Sequence, residues 1–186
     1  MLDQALLRSL LRYDSVTGKL FWSARRFGVK LGREAGRARR DGYRDVKILG
    51  NLYLSHRLAW LYVHGRWPEK FIDHINGNRA DNRIENLREC SNSQNLANRP
   101  AQMNNKCGLK GVHKVKWSSG EIRWKAQIFI TRDKAPKEVI YLGCYKSKSE
   151  AHAVYSAKAE ELFGEFARAN AVGWSPKEPT PIAPRA

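Results

Sequence analysis

Acidic residues are scarce in this chain of 186 residues: 18 aspartates and glutamates stand against 34 lysines and arginines, a formal net charge of +16. Such a deficit leaves a strongly basic surface and points to a polyanion, nucleic acid ahead of an anionic membrane. Long apolar runs are missing too. None approaches the roughly 18 residues that span a bilayer, and residues 1–20 lack a secretory-signal pattern. A cytoplasmic, non-secreted protein without membrane attachment is expected. Cysteine is rare: Cys90, Cys107 and Cys144 are widely spaced and odd in number. That excludes a disulfide framework and a zinc cluster of familiar spacing; Cys90 alone lies near the motif below. No internal repeat is visible.

What is present centres on residues 71–98, FIDHINGNRADNRIENLRECSNSQNLAN. A short apolar run ends in the acid–imidazole pair Asp73-His74. Asn76-Gly77 forces a turn. Asn86-Leu87-Arg88 reads as a second short strand, and Ser91-Asn92-Ser93 supplies helix-start residues before Gln94-Asn95. The unit is therefore strand, loop, short strand, helix. Asp73 is a hard oxygen ligand and Asn95 offers an amide oxygen, a set suited to Mg²⁺ or Mn²⁺ rather than Zn²⁺. His74 points to the opposite strand face from Asp73 and can take a proton from water near neutral pH. Asn86 can hold the loop or orient the imidazole, since its amide both gives and accepts. Such a group fits metal-assisted attack on a phosphodiester. Taken singly, each of these residues is as ordinary in a cap or turn as in a site.

DHINGNRADNRIENLR followed by SNSQN resembles the HNH homing-type endonucleases with a ββα-metal core. The closer likeness is to a phage and intron subgroup whose final motif His is Asn. There, Asn follows the first His at twelve and twenty-one positions, as Asn86 and Asn95 follow His74 here. The resemblance implies His74 as general base, Asp73 and Asn95 as metal ligands and Asn86 as the central Asn, with Mg²⁺ or Mn²⁺ as cofactor.

Upstream, Leu2, Leu6, Leu7, Leu10 and Leu11 give residues 1–13 one apolar helical stripe. A turn at Asp14–Gly18 and a strand over Lys19–Trp22 follow. Residues 23–42 are rich in arginine, either a solvated loop or a phosphate-contacting arm. Tyr43–Leu54 alternates and turns at Gly50-Asn51, a hairpin signal. Ser55 can cap a helix that Gly65 stops. His56 lies in a His-Arg-Leu segment common before such cores; packing and a place at the site both remain open for it.

After a polar linker at residues 99–110, three strands and an amphipathic helix are expected: GVHKVKW, RWKAQIFI, EVIYLGCY and SEAHAVYSAKAEELFG. Trp124, Ala126, Ile128 and Ile130 share one strand face; Arg123, Lys125, Gln127 and Phe129 share the other. This segment resembles the Apetala-two/ethylene-response-factor DNA-binding domain, through Gly111-Val112, Trp117, Trp124, Tyr141-Leu142-Gly143 and the Glu150-Ala151 helix. The resemblance implies a sheet that reads duplex DNA with Lys110, His113, Trp117, Arg123, Gln127 and Tyr141. Lys125 joins them by strand parity. Three places where that family carries arginine hold Val115, Phe129 and Val139.

The expected fold is α+β. A ββα-metal nuclease domain would occupy residues 1–98 (core about 43–98), with an N-terminal helix and hairpin. The linker 99–110 would lead to a small three-stranded antiparallel sheet on one helix at 111–170 and a disordered, proline-bearing tail at 171–186. The expected function is metal-dependent cleavage of double-stranded DNA by a monomer or weak dimer, with no small-molecule substrate. A DNA-binding regulator with a vestigial nuclease core is the alternative.

Overall fold

In a computed structural model describing residues 2–25, 28–101, 105–131 and 136–168, the protein mixes helices and short strands. The expected tail at 171–186 lies outside the described residues. Contacts divide the chain after Glu89 into two compact units.

In the first unit, α1 (Gln4–Leu10) starts on Asp3, whose carboxylate accepts from the Leu6 N–H at 2.8 Å. The leucine stripe predicts a helix to residue 13, but the chain becomes extended at Leu11. There β1 (Leu11–Asp14) pairs antiparallel with β2 (Lys19–Trp22), Leu11 opposite Trp22. Both side chains are buried in the same core, so a strand buries Leu11 as well as another helical turn would.

A three-stranded sheet follows, ordered β3 (Arg37–Ala38), β4 (Arg44–Ile48) and β5 (Asn51–Leu54). Part of the basic arm is thus sheet, and its Arg37 and Arg39 pair with Asp45 and Asp41. Helix α2 (Ser55–His64) ends at Gly65, whose left-handed φ of 74° suits glycine. Ser55 is its first residue rather than its cap, and the Ser55 Oγ is buried without a partner among the described residues. Packing supplies the stability instead. Leu58 and Leu61 enter the core of Leu7, Leu11, Leu20, Val46 and Ile48, while Ala59 and Trp60 join Ile72 and Leu87 in another. Burying each such leucine stabilises by about 1.5–3 kcal/mol. Strands β6 (Phe71–His74) and β7 (Leu87–Cys90) form a two-stranded sheet, linked by a loop ending in a 3-10 turn, Ile84–Asn86.

The second unit begins with α3 (Asn92–Asn98), started by a capping box between Ser91 and Gln94. Its Ser93 Oγ donates to the Thr131 carbonyl at 2.6 Å and accepts from the Thr131 N–H at 2.7 Å. The Arg168 N–H donates to the Ala97 carbonyl at 3.2 Å. Strands β8 (Val112–Lys116), β9 (Ile122–Ile130) and β10 (Glu138–Tyr145) make an antiparallel sheet with β9 in the centre. Helix α4 (Lys148–Phe163), capped by Ser147, covers one face through Ala151, Tyr155 and Ala159 against Val112, Ala126 and Ile128. No helix among the described residues is long and apolar enough to cross a membrane.

Candidate active site

Asp73 and His74 end β6, each residue only 4% exposed. They have separate partners, as successive strand residues do. Asp73 Oδ2 accepts from Arg88 Nε at 3.0 Å. His74 Nε2 lies 3.1 Å from Asn82 Oδ1. That oxygen can only accept, so Nε2 carries the hydrogen and the lone pair falls on Nδ1. Asn82 is 3% exposed, and its own carbonyl accepts from the Tyr13 hydroxyl at 2.9 Å.

Two rings wall the imidazole. The His56 centroid is 5.2 Å and the Tyr43 centroid 5.8 Å from that of His74. His56 reaches this place because it sits three and four residues before Ala59 and Trp60, on the α2 face that packs toward Ile72. Burial pushes the His56 imidazole down to about 3, with the neighbouring His74 and Arg57 adding to it. His74 is also lowered, chiefly by burial, against the pull of Asn82 and the Asp73 charge. A neutral imidazole, ready to accept a proton at neutral pH, is the result.

Asn86 fastens the loop. Its Oδ1 accepts from the Asn76 N–H at 2.9 Å, and its Nδ2 donates to the Asp81 carbonyl at 2.8 Å. The Asn86 carbonyl accepts from the Ile75 N–H at 2.9 Å, so the central Asn closes the turn that leaves His74. Asn95 lies on α3 with a partly buried side chain, its N–H donating to the Ser91 carbonyl at 3.0 Å.

The donor set bears on the metal. Among the described residues no group of three or more His, Cys, Asp or Glu side chains could hold an ion. None of the three cysteines is in a disulfide, and Cys107 instead donates to the Val112 carbonyl at 3.0 Å. A zinc cage does not fit. One buried carboxylate does fit Mg²⁺ or Mn²⁺, which keep their waters and rely on one or two carboxylates plus substrate phosphates.

Residues 53–97 match the family model described as HNH endonuclease. Over that stretch the chain is similar to HNH endonuclease domains. Over 134 residues it is 30% identical to an uncharacterized HNH endonuclease of Acanthamoeba polyphaga mimivirus, a stretch covering 72% of this chain and 65% of that relative. The chain thus spans a little under two thirds of the relative's length. No solved structure matches. Asp73, His74, Asn82, Asn86, Arg88 and Asn95 all fall inside the matched residues, and His56 does as well.

In the second unit, cross-strand register places most of the expected DNA-facing side chains on one sheet face. His113 opposes Lys125, Val115 opposes Arg123, Gln127 opposes Tyr141 and Phe129 opposes Val139. The Arg123 guanidinium lies 5.0 Å from the Trp117 ring. Trp124 goes the other way, against the core under α4.

Lys110 is the exception. Its ammonium donates to the carbonyls of Leu96 and Arg99 at 3.0 and 2.7 Å, and to that of Ala97. Three acceptors use all three ammonium donors, and burial pushes the amine down to about 8. Lys110 caps the C-terminal end of α3 and has no donor left for a phosphate. Resemblance assigns it to DNA; its carbonyl partners assign it to the fold.

Arg88, Asn82 and His56 contact the candidate pair Asp73 and His74, and motif spacing does not pick them out. Arg88 follows the core residue Leu87 on β7, and an arginine inside a short strand is the one signal it leaves.

Proposed function

We propose that this protein is a divalent-metal-dependent endonuclease that hydrolyses phosphodiester bonds of duplex DNA. The observation that carries this reading is a buried, neutral His74 oriented through Nε2 by Asn82, on a strand whose preceding residue is the buried carboxylate Asp73. His74 Nδ1 takes the proton of a water as the water oxygen bonds to phosphorus and the P–O bond to the leaving sugar oxygen breaks. Asp73, with Asn95 as second ligand, would hold Mg²⁺ or Mn²⁺. When bound, such an ion supplies charge stabilisation at the phosphate and the leaving oxygen. Asn86 keeps the loop closed so that His74 and Asp73 stay in register. The core is read as a ββα-metal unit of the homing type, like that of phage and intron enzymes.

The second unit is proposed as the DNA anchor, an Apetala-two/ethylene-response-factor-type module. His113, Trp117, Arg123, Lys125, Gln127 and Tyr141 share its open face, and a sheet of this kind can enter the major groove. With Val115, Phe129 and Val139 in arginine positions, that face holds fewer base-reading forks, and looser target choice follows.

Supercoiled plasmid with Mg²⁺, Mn²⁺ or EDTA tests the whole reading. The parent should nick only with metal, and His74→Ala should lose nicking while keeping DNA affinity. A His74→Ala protein that nicks at the parental rate would show that the base lies elsewhere. Tight duplex binding with no metal-dependent cleavage would favour a non-cleaving regulator.

A further inference from the structure

Arg88 is a charge in the site with no part in the proton transfer. Its Nε donates to Asp73 Oδ2 at 3.0 Å, with the two side chains 12% and 5% exposed. The same carboxylate is the one a divalent ion would need. We propose that Arg88 is a resident counter-cation that keeps Asp73 closed to divalent metal until a DNA phosphate arrives, so that ion and substrate load together. This rests on Asp73 being a metal ligand.

The argument is electrostatic. The Arg88–Asp73 pair carries no net charge, so the pair attracts a dication far less than an ionised Asp73 alone would. A dication approaching Oδ2 also meets the guanidinium across a short gap in a poorly solvated place, where like charges repel strongly. Among the described residues no group of three or more His, Cys, Asp or Glu side chains could hold the ion by itself. A phosphodiester changes the balance in two ways. It brings a negative charge and oxygen ligands to the ion, and it offers the planar guanidinium another anion that its fork fits. Reciprocity then requires that metal tighten DNA binding by the same factor as DNA tightens metal binding.

The test is Mn²⁺ titration of the full chain in the absence of DNA, read by calorimetry. Arg88→Gln removes the charge and should bind Mn²⁺ more tightly than the parent by about tenfold or more, the usual order of such couplings. Arg88→Lys keeps the charge and should bind as the parent does. Arg88→Gln binding no tighter than the parent overturns the proposal. Should Arg88→Gln fail to fold in metal-free buffer, circular dichroism replaces calorimetry. Recovery of the native spectrum with Mn²⁺ supports the exchange, and no recovery at millimolar Mn²⁺ overturns it. Adding Asp73→Asn to Arg88→Gln separates the two levels. If the double variant keeps the tight site, the ion does not sit on Asp73 and the metal assignment itself fails. If tight binding is lost with Asp73, the ion sits where both readings place it.

Discussion

The imidazole of His56 stands edge-on to that of His74, ring planes at 81° and centroids 5.2 Å apart. His56 Nδ1 is buried with no hydrogen-bond partner among the described residues. An unpaired buried nitrogen costs about 1–3 kcal/mol.

That pair makes stability depend on pH. An imidazole held at about 3 in the fold, against an ordinary value of 6.5, takes its proton only on unfolding. The unfolded state therefore binds more protons, and stability falls as pH drops from about 6.5 toward 3, by at most about 1.4 kcal/mol per pH unit. The lowered His74 acts in the same direction. His56→Phe removes the His56 share and the unpaired nitrogen while keeping a ring beside His74. Urea midpoints at about pH 5 and about pH 7.5 check this; the variant should lose less between them than the parent.

Asn82 fixes which His74 nitrogen carries the lone pair. Asn82→Ala leaves Nε2–H without its acceptor and should slow nicking about 10–100-fold, part of the roughly 10²–10⁴ that general-base help supplies. DNA affinity should not change. Asn82→Asp puts a carboxylate on the ring and raises its pKa, so the acid limb of the rate profile should move to higher pH. An unchanged profile would remove Asn82 from the proton path.

Gly18 supports the same loop from a distance. It has φ +69°, and a Cβ there would come within 2.3 Å of Arg83 N and 2.5 Å of the Asn82 carbonyl carbon. Gly28 has φ +73° with nothing within 4 Å of such a Cβ. Gly28→Ala should carry only left-handed strain, about 1–2 kcal/mol. Gly18→Ala should melt at a lower temperature than Gly28→Ala and lose nicking, because the loop that orients His74 must move.

Lys110 and Lys125 should behave oppositely. Lys125→Ala should weaken duplex binding and lower the salt slope of affinity by about one. Lys110→Met removes the cation from the Leu96, Ala97 and Arg99 carbonyls at the end of α3, so it should lower the melting temperature and leave the salt slope unchanged. A reduced slope for Lys110→Met would return that residue to the DNA face.

Much of the fold could be read directly along the chain. Period-two alternation separated the core face of β9 (Ala126, Ile128) from its open face, and Gly65 marked the end of α2. The helix–strand change at Leu11 could not be read, because its leucine satisfies either element until Trp22 pairs opposite it. Within the site, the adjacency of Asp73 and His74 and the position of Asn86 were legible because they lie within a few residues of a turn.

The sequence by itself determined the motif, the excess of basic charge and the order of most elements, which depend on neighbours within a turn or a strand. The tertiary structure decided which groups those residues answer to: Arg88 for Asp73, Asn82 and His56 for His74, and three carbonyls for Lys110. These partners are 8 to 18 residues away. Burial and pairing over such separations arise only when the chain closes on itself, and they set whether a carboxylate, an imidazole or an ammonium is available for chemistry.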